Sequence, residues 1–306
     1  MGFRKAAVIG TGMMGPGIAM TLACGGVDAV IVGRTEESAS SGLASARRLL
    51  ELLRGEGLAG EAAALSATAS FDDALRDADI VIESAPENME FKQALFARME
   101  AVAPAHAALA SNTSGLSITA IGSLCQRRDR IMTTHFWNPP HLVPLVEIVM
   151  SPHTDLALAQ SVHALLTKCG KVPVLVKKDT PGQLGNRMQM AMVREAANIV
   201  REGIADAEAV DLAARMGFGI RLPAYGVLEH QDIVGLEMCA GILEYVASDV
   251  YNGTEALAHR ELIAQGFTGA ASGRGFYDWS VKDPAEAKAR RDAFVLRVLK
   301  WERRGY

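Results

Sequence analysis

His135 opens the segment "HFWNPPHLVPLVEIV", and Glu147 sits near its far end. Both lie in otherwise apolar runs, and Asn138, Pro139 and Pro140 between them form a stiff turn signal. A strand ending at the histidine, a reversal at the prolines and a returning strand would bring the carboxylate back beside the imidazole. That pairing does proton chemistry. A neutral imidazole, with an ordinary pKa of about 6.5, takes a proton from a hydroxyl. A carboxylate on its other ring nitrogen fixes the tautomer and stabilises the imidazolium that forms. The alternative for a lone histidine is a structural role, and Glu147 at a matching spacing argues against it. His141, inside the turn, and His230, further along, read as structural.

A second constellation suits phosphate. "KAAVIGTGMMGPGIAMTLACGG" runs from a short apolar strand through Gly10-Thr11-Gly12-Met13-Met14-Gly15 into helix-compatible residues, and "DAVIVG" from Asp28 supplies a second strand. In this βαβ setting Gly10 makes the tight turn, Gly12 lets backbone approach a pyrophosphate, and Gly15 lets helix and strand pack closely. The pyrophosphate then meets the N–H groups that open the helix. The acid expected after the second strand is missing, and Gly33-Arg34 takes its place. An acid there would accept from ribose hydroxyls, whereas an arginine meets a 2′-phosphate, so the cofactor is NAD or NADP. Glu36 is a neighbouring candidate for the ribose.

Further short apolar runs alternate with helical patterns: "ADIVIESAP", the amphipathic "NMEFKQALFARMEAV", "AALASNTSG", "RIMTTHFW", "LVEIVM" and "KVPVLVKK". The alternation predicts a doubly wound, Rossmann-type parallel sheet covered on both faces. Residues 36 to 65 read as an inserted helical hairpin broken at Gly55 and Gly57. After "KKDTPGQLGNR" the strand patterns stop. The expected domains are therefore 1–181, binding a dinucleotide, and 182–306, all helical, with Thr180-Pro181-Gly182 as the turn between them.

The 306 residues carry a net charge of -4 without an acidic or basic block, which argues against nucleic acid or a membrane surface as the main partner. Four scattered cysteines with no C-x-x-C fit thiols in a reducing, cytoplasmic setting. Residues 6 to 27 are uncharged, like a leader or a membrane span, but glycines and Pro16 break the run.

"GTGMMGPGIA", "VIESAPENMEFK", "SNTSGLSIT", "HFWNPPHLVPLVEIV" and "KDTPGQLGNR" stand in one order along nearly the whole chain, followed by a late "GRGFYDW". In this the sequence resembles the 3-hydroxyacyl-CoA dehydrogenase family. The resemblance implies that His135 is the catalytic acid/base and Glu147 its orienting partner. It implies that Ser114 and Asn186 surround the reacting oxygen, and that Glu87, Lys92 and Asn138 lie near the nicotinamide half of the cofactor. It also implies a helical second domain that forms a homodimer, and a place in fatty acid metabolism. Other readings stay open at two of these positions. Ser114 can cap the segment from Leu116, and Asn186 can bond between helices.

Three features depart from the family pattern. Gly33-Arg34 replaces the acid. Gln183 and Gly185 replace apolar residues after "TPG". "YGVLEHQDIVG" replaces the usual "GPFELxDxxG". The predicted hairpin carries only Arg47, Arg48 and Arg54 as cations for CoA phosphates. The expected reaction is oxidation of a secondary hydroxyl near a carbonyl, with a 3-hydroxyacyl-CoA as first substrate. The alternatives are a non-CoA hydroxy acid, sugar acid or ring-borne alcohol, and a non-catalytic NAD(P)-binding or structural protein.

Overall fold

In a computed structural model of the chain, residues 2–302 are described. One eight-stranded sheet carries the architecture: β1 (Lys5–Ile9), β2 (Asp28–Val32), β3 (Leu65–Thr68), β4 (Ile80–Glu83), β5 (Ala108–Ser111), β6 (Ile131–Phe136), β7 (Leu145–Met150) and β8 (Val172–Val176). The spatial order is β3-β2-β1-β4-β5-β6-β7-β8. Every pairing is parallel except β6 with β7, where the chain doubles back. The parallel strands are linked by α1 (Gly15–Cys24), α2 (Glu36–Gly55), α3 (Phe71–Leu75), α4 (Met89–Val102) and α5 (Ile118–Ile121), while α6 (Leu156–Lys168) joins β7 to β8.

Strand residues alternate between the two faces, so each strand feeds two cores. Ala6 and Val8 of β1 and Ile80 and Ile82 of β4 join α1, α2 and α6 on one face. Ala7, Ile9 and Val81 join Phe96 and Met99 of α4 on the other. Burial on both faces explains why these strands read as unbroken apolar runs.

The chain divides into two compact units, Met1–Arg187 with Arg290–Tyr306, and Met188–Ala289. The second unit is helical. It contains most of α7 (Gly185–Arg201), then α8 (Ala207–Ala213), α9 (Val227–Val234), α10 (Leu236–Ala247) and α11 (Leu257–Ala264). Arg201 pairs with Glu261 at 2.8 Å, and the Tyr277 hydroxyl donates to Asp211 at 2.7 Å. The last helix, α12 (Pro284–Glu302), differs from the expectation that 182–306 forms one domain. Its residues Val295, Leu296 and Leu299 pack on the core of the sheet unit, and Lys300 pairs with Glu56.

A second difference concerns the predicted helical hairpin. Residues 36–55 form the single helix α2, opened by a reciprocal cap between Thr35 and Ser38. No second helix follows. Gly57 turns with φ +70°. The Ala63 N–H then donates to the Ala23 carbonyl, and the Ala64 N–H donates to Asp28 Oδ1 at 3.0 Å. These bonds draw the returning segment into the sheet edge as β3, a strand that its weakly apolar sequence hid.

One ion pair lies wholly inside the sheet unit. Lys92 of α4 meets Glu83, the last residue of β4, at 2.6 Å, with both side chains essentially without solvent contact. The Ser111 hydroxyl and the Ala85 N–H complete the Glu83 carboxylate at 2.6 and 2.5 Å. Lys92→Met should leave Glu83 charged and buried without its counter-ion and cost about 3–5 kcal/mol of unfolding free energy. Urea denaturation tests this, and parental stability in the variant would show that the pair does not hold α4 to β4.

Candidate functional site

The site gathers at the C-terminal edge of the parallel strands, where open α/β sheets bind ligands. His135 and Glu147 are register partners across the antiparallel β6–β7 pair. His135 Nδ1 lies 2.8 Å from Glu147 Oε2. With Nδ1–H donating to the carboxylate, Nε2 is left as the acceptor. The Trp137 indole N–H donates to the same oxygen at 3.0 Å. The other oxygen, Oε1, accepts from the backbone N–H groups of Leu184 and Gly185, each at 2.8 Å. Gly182 and Gln183 take successive left-handed conformations, φ +75° and +53°, and the turn aims those two N–H groups at the acid. Burial alone would raise the Glu147 pKa. The donors from His135, Gly185, Leu184 and Trp137 outweigh it and bring the value down to about 2.

Ser114 and Asn186 are brought together: Asn186 Nδ2 donates to the Ser114 carbonyl at 3.1 Å. Glu87 ties the same loop from the other side, accepting from the Ser114 N–H at 2.7 Å and its hydroxyl at 3.1 Å, and from the Thr113 hydroxyl. Burial acts to raise the Glu87 pKa, but the Ser114 N–H and the charge of Lys92 bring it below the ordinary value. Lys92 Nζ lies 3.4 Å from Glu87, so the buried Glu83–Lys92 pair extends into this loop. Gln183 Nε2 donates to the Thr113 carbonyl at 3.0 Å. Ser114 is not the cap of α5, since Ser117 fills that place.

The glycine turn has the shape its sequence predicts. Gly10 sits at φ +120°, and a Cβ there would strike the Ser84 carbonyl oxygen; one on Gly15 would strike the Gly10 carbonyl. Gly12 has open space above it. Met14, the N-cap of α1, makes no side-chain cap bond, so the first N–H groups of the helix are left for an anion. Met13 projects outward, 77% exposed. These features fit a dinucleotide pyrophosphate.

Gly33 and Arg34 follow β2, and Arg34 is exposed. A Cβ on Gly33 would lie 2.5 Å from the Ala39 nitrogen, so the start of α2 excludes an acid at that position. Glu36 is occupied, accepting from the Ala69 N–H at 2.9 Å. Asn138 lies exposed in the β6–β7 turn, apart from the bonded cluster, and the Asn138–Pro139 peptide is cis.

Several members of this network were not singled out from sequence. Glu83 carried a signal, a carboxylate closing the apolar run "IVIE". Asn112 holds the end of β6 by accepting from the Phe136 N–H at 2.8 Å. The backbone donors of Leu184 and Gly185 carry no side-chain signal at all.

The sequence matches the 3-hydroxyacyl-CoA dehydrogenase NAD binding domain over residues 5–180 and the C-terminal domain of the same family over residues 182–279. A 5-formyl-3-hydroxy-2-methylpyridine 4-carboxylate 5-dehydrogenase from Mesorhizobium japonicum is 31% identical, over 97% of this chain and 98% of its own. A probable 3-hydroxybutyryl-CoA dehydrogenase from Bacillus subtilis is 35% identical, over 92% and 99% respectively. Among solved structures, a 5-formyl-3-hydroxy-2-methylpyridine 4-carboxylic acid 5-dehydrogenase, an NAD+ dependent dismutase, superposes with a TM-score of 0.90 at 28% identity, covering 98% of this chain and 99% of that one. An (S)-3-hydroxybutyryl-CoA dehydrogenase from Ralstonia eutropha gives 0.75 at 31% identity, covering 91% and 99%. With both family domains matched in sequence and a glycine turn shaped for a dinucleotide, the chain belongs to the 3-hydroxyacyl-CoA dehydrogenase family, NAD-dependent oxidoreductases that act on CH–OH groups.

Proposed function

We propose that His135 is the acid/base of a reversible oxidation of a secondary hydroxyl to a carbonyl, with a 3-hydroxyacyl-CoA as the substrate and the 3-ketoacyl-CoA as the product. The observation that carries this is the 2.8 Å bond from His135 Nδ1 to a fully buried carboxylate, which leaves Nε2 to take the hydroxyl proton. Bound NAD supplies the hydride acceptor. Glu147 holds the imidazole tautomer and balances the imidazolium. Ser114 and Asn186 flank the reacting oxygen. Gly10, Gly12 and Gly15 seat the pyrophosphate, with Met13 and Met14 at its rim. Glu87 and Asn138 face the nicotinamide half, and Lys92 acts through Glu87.

A second substrate reading, a ring-borne or other non-CoA alcohol, is favoured by two observations. α2 is a single helix, and two of its three arginines are bonded locally: Arg48 to Ser45, and Arg54 to Glu51 and the Gly60 carbonyl. The pyridine dehydrogenase also superposes over 98% of the chain. NADP(H) is proposed as an additional cofactor, since the end of β2 has no acid to repel a 2′-phosphate and Arg34 stands free to meet one. The family's homodimer is proposed for this chain as well, because α10 exposes Leu236, Met238, Ile242, Leu243 and Tyr245, the last at 83%. A cytoplasmic location is consistent with the thiols Cys125, Cys169 and Cys239. Among the described residues no helix is long and apolar enough to cross a membrane.

His135→Ala should lose about 10²- to 10⁴-fold in kcat with cofactor affinity little changed. Glu147→Gln should fold and turn over slowly. Because the Glu147 pKa is depressed from 4.5 to about 2, the stability it lends is complete above about pH 4.5 and drains as pH falls toward 2. The glutamine variant should lack that acid sensitivity. Near-parental turnover in either folded variant would remove the pair from the mechanism. For substrate and cofactor, acetoacetyl-CoA with NADH should be turned over, and Arg34→Ala should lower kcat/KM for NADPH about tenfold or more without touching NADH. Turnover restricted to free or ring-borne substrates would establish the second reading, and an arginine variant equal to parent with NADPH would dismiss the phosphate contact. Sedimentation at micromolar concentration should give a dimer; monomer alone would refute the assignment of α10 to an interface.

A further inference from the structure

The Trp137 indole does more than pack. Its N–H donates at 3.0 Å to Glu147 Oε2, the same oxygen that holds His135 Nδ1 at 2.8 Å. The indole is also tilted against the imidazole, with centroids 5.6 Å apart. Its place is kept open by a glycine. A Cβ on Gly185 would lie 2.5 Å from indole Cζ2, so any larger residue there would push the ring off the acid. Gly185 therefore serves Glu147 twice, through its own N–H at 2.8 Å and by making room for the indole.

We infer that Trp137 is a positioning residue that sets the proton affinity of the His135–Glu147 pair. The inference rests on His135 being the acid/base. Two donors on one carboxylate oxygen compete for its electron density. The indole N–H can only donate and never titrates, so it draws charge from Oε2 at every working pH. That weakens the hold of the carboxylate on the imidazolium and keeps neutral imidazole, the form that takes a proton from an alcohol, populated to lower pH. It also keeps the proton on Nδ1 rather than on the carboxylate.

Few other ionisable groups compete for this role. β6 and β7 carry none besides the pair itself. On the turn from β8 to α7, Lys177 and Lys178 are exposed and Asp179 is bonded to Ser117, while Arg187, in the first turn of α7, donates to the Pro181 carbonyl. Across the site, Glu83, Lys92 and Glu87 are bonded in their own cluster. In the β6–β7 turn, burial lowers the His141 pKa. Lys171 donates to the Pro140 and Val143 carbonyls of that turn, and burial brings its pKa down to about 8, which places its titration on the alkaline side of the profile.

The test is the pH dependence of kcat/KM for alcohol oxidation by the full-length enzyme, read on the acid limb. Two replacements are compared with the parent. Trp137→Phe removes both the donor and part of the ring. Replacing Trp137 by 3-benzothienylalanine keeps the bicyclic shape and exchanges only the N–H for sulfur. Both should move the acid limb upward by about 0.5–1 pH unit. At the new plateau the isostere should retain kcat within about threefold of the parent. An unmoved limb in the isostere would overturn the inference, whatever the phenylalanine variant does through lost packing. Substantial turnover in folded His135→Ala would instead overturn the acid/base reading beneath it, so the two failures are distinguishable.

Discussion

A carboxylate with no solvent contact must have its charge answered by fixed donors, because an unpaired ion in a protein interior costs several kcal/mol. Glu147 is answered by four: His135 and Trp137 on one oxygen, Leu184 and Gly185 on the other. Each donor comes from a defined place. His135 is there because β6 and β7 pair antiparallel in this register. Trp137 follows directly after β6. The two backbone donors are there because the chain turns left-handed at Gly182 and Gln183 before α7 begins. The acid is thus a fixed point on which a strand pair, a turn and a helix start converge, and disturbing any of them disturbs the imidazole.

From this point the polar network spreads outward from the buried acid toward the exposed Ser114 and the half-exposed Glu87. Gln183 reaches from the same turn to the Thr113 carbonyl, and Asn186 reaches to the Ser114 carbonyl. Thr113 and Ser114 hold Glu87, and Lys92 joins Glu87 to buried Glu83 at the end of β4. Ser84, the next residue, stands against Gly10 of the phosphate turn. The glycine turn and the His135–Glu147 pair are therefore linked through the strand ends, which gives them a common frame. Packing adds a second link. Pro140 in the β6–β7 turn would lie 2.6 Å from a Cβ on Gly17, so α1 and the turn approach backbone to ring.

Much of this was legible in residue types and order. The Rossmann-type sheet, the glycine turn, the helical C-terminal stretch and the His135–Glu147 pairing all leave local marks: apolar runs of strand length, glycines at fixed offsets, a proline turn between two polar residues in apolar surroundings. The region from 36 to 65 misled because alanine-rich residues after Gly57 favour a helix locally, while hydrogen bonds to Ala23 and Asp28 enlist them for the sheet edge. The C-terminal helix misled in the same way. Its pattern shows an apolar stripe, but only packing tells that Val295, Leu296 and Leu299 complete the core of the sheet unit.

The sequence by itself determined most of the elements, the glycine turn and the facing of His135 and Glu147, because each follows from local conformational preference or from a side chain's own chemistry. Tertiary structure alone decided how the acid is held. The Leu184 and Gly185 donors are backbone groups that every residue but proline possesses, and their direction depends on the dihedral angles of the preceding turn. The indole bond of Trp137 depends on the empty space over Gly185. The family resemblance places Lys92 near the nicotinamide half of the cofactor, and only the fold showed its ammonium enclosed with Glu83. Direction, enclosure and shared partners are properties of three-dimensional neighbours, and no spacing along the chain encodes them.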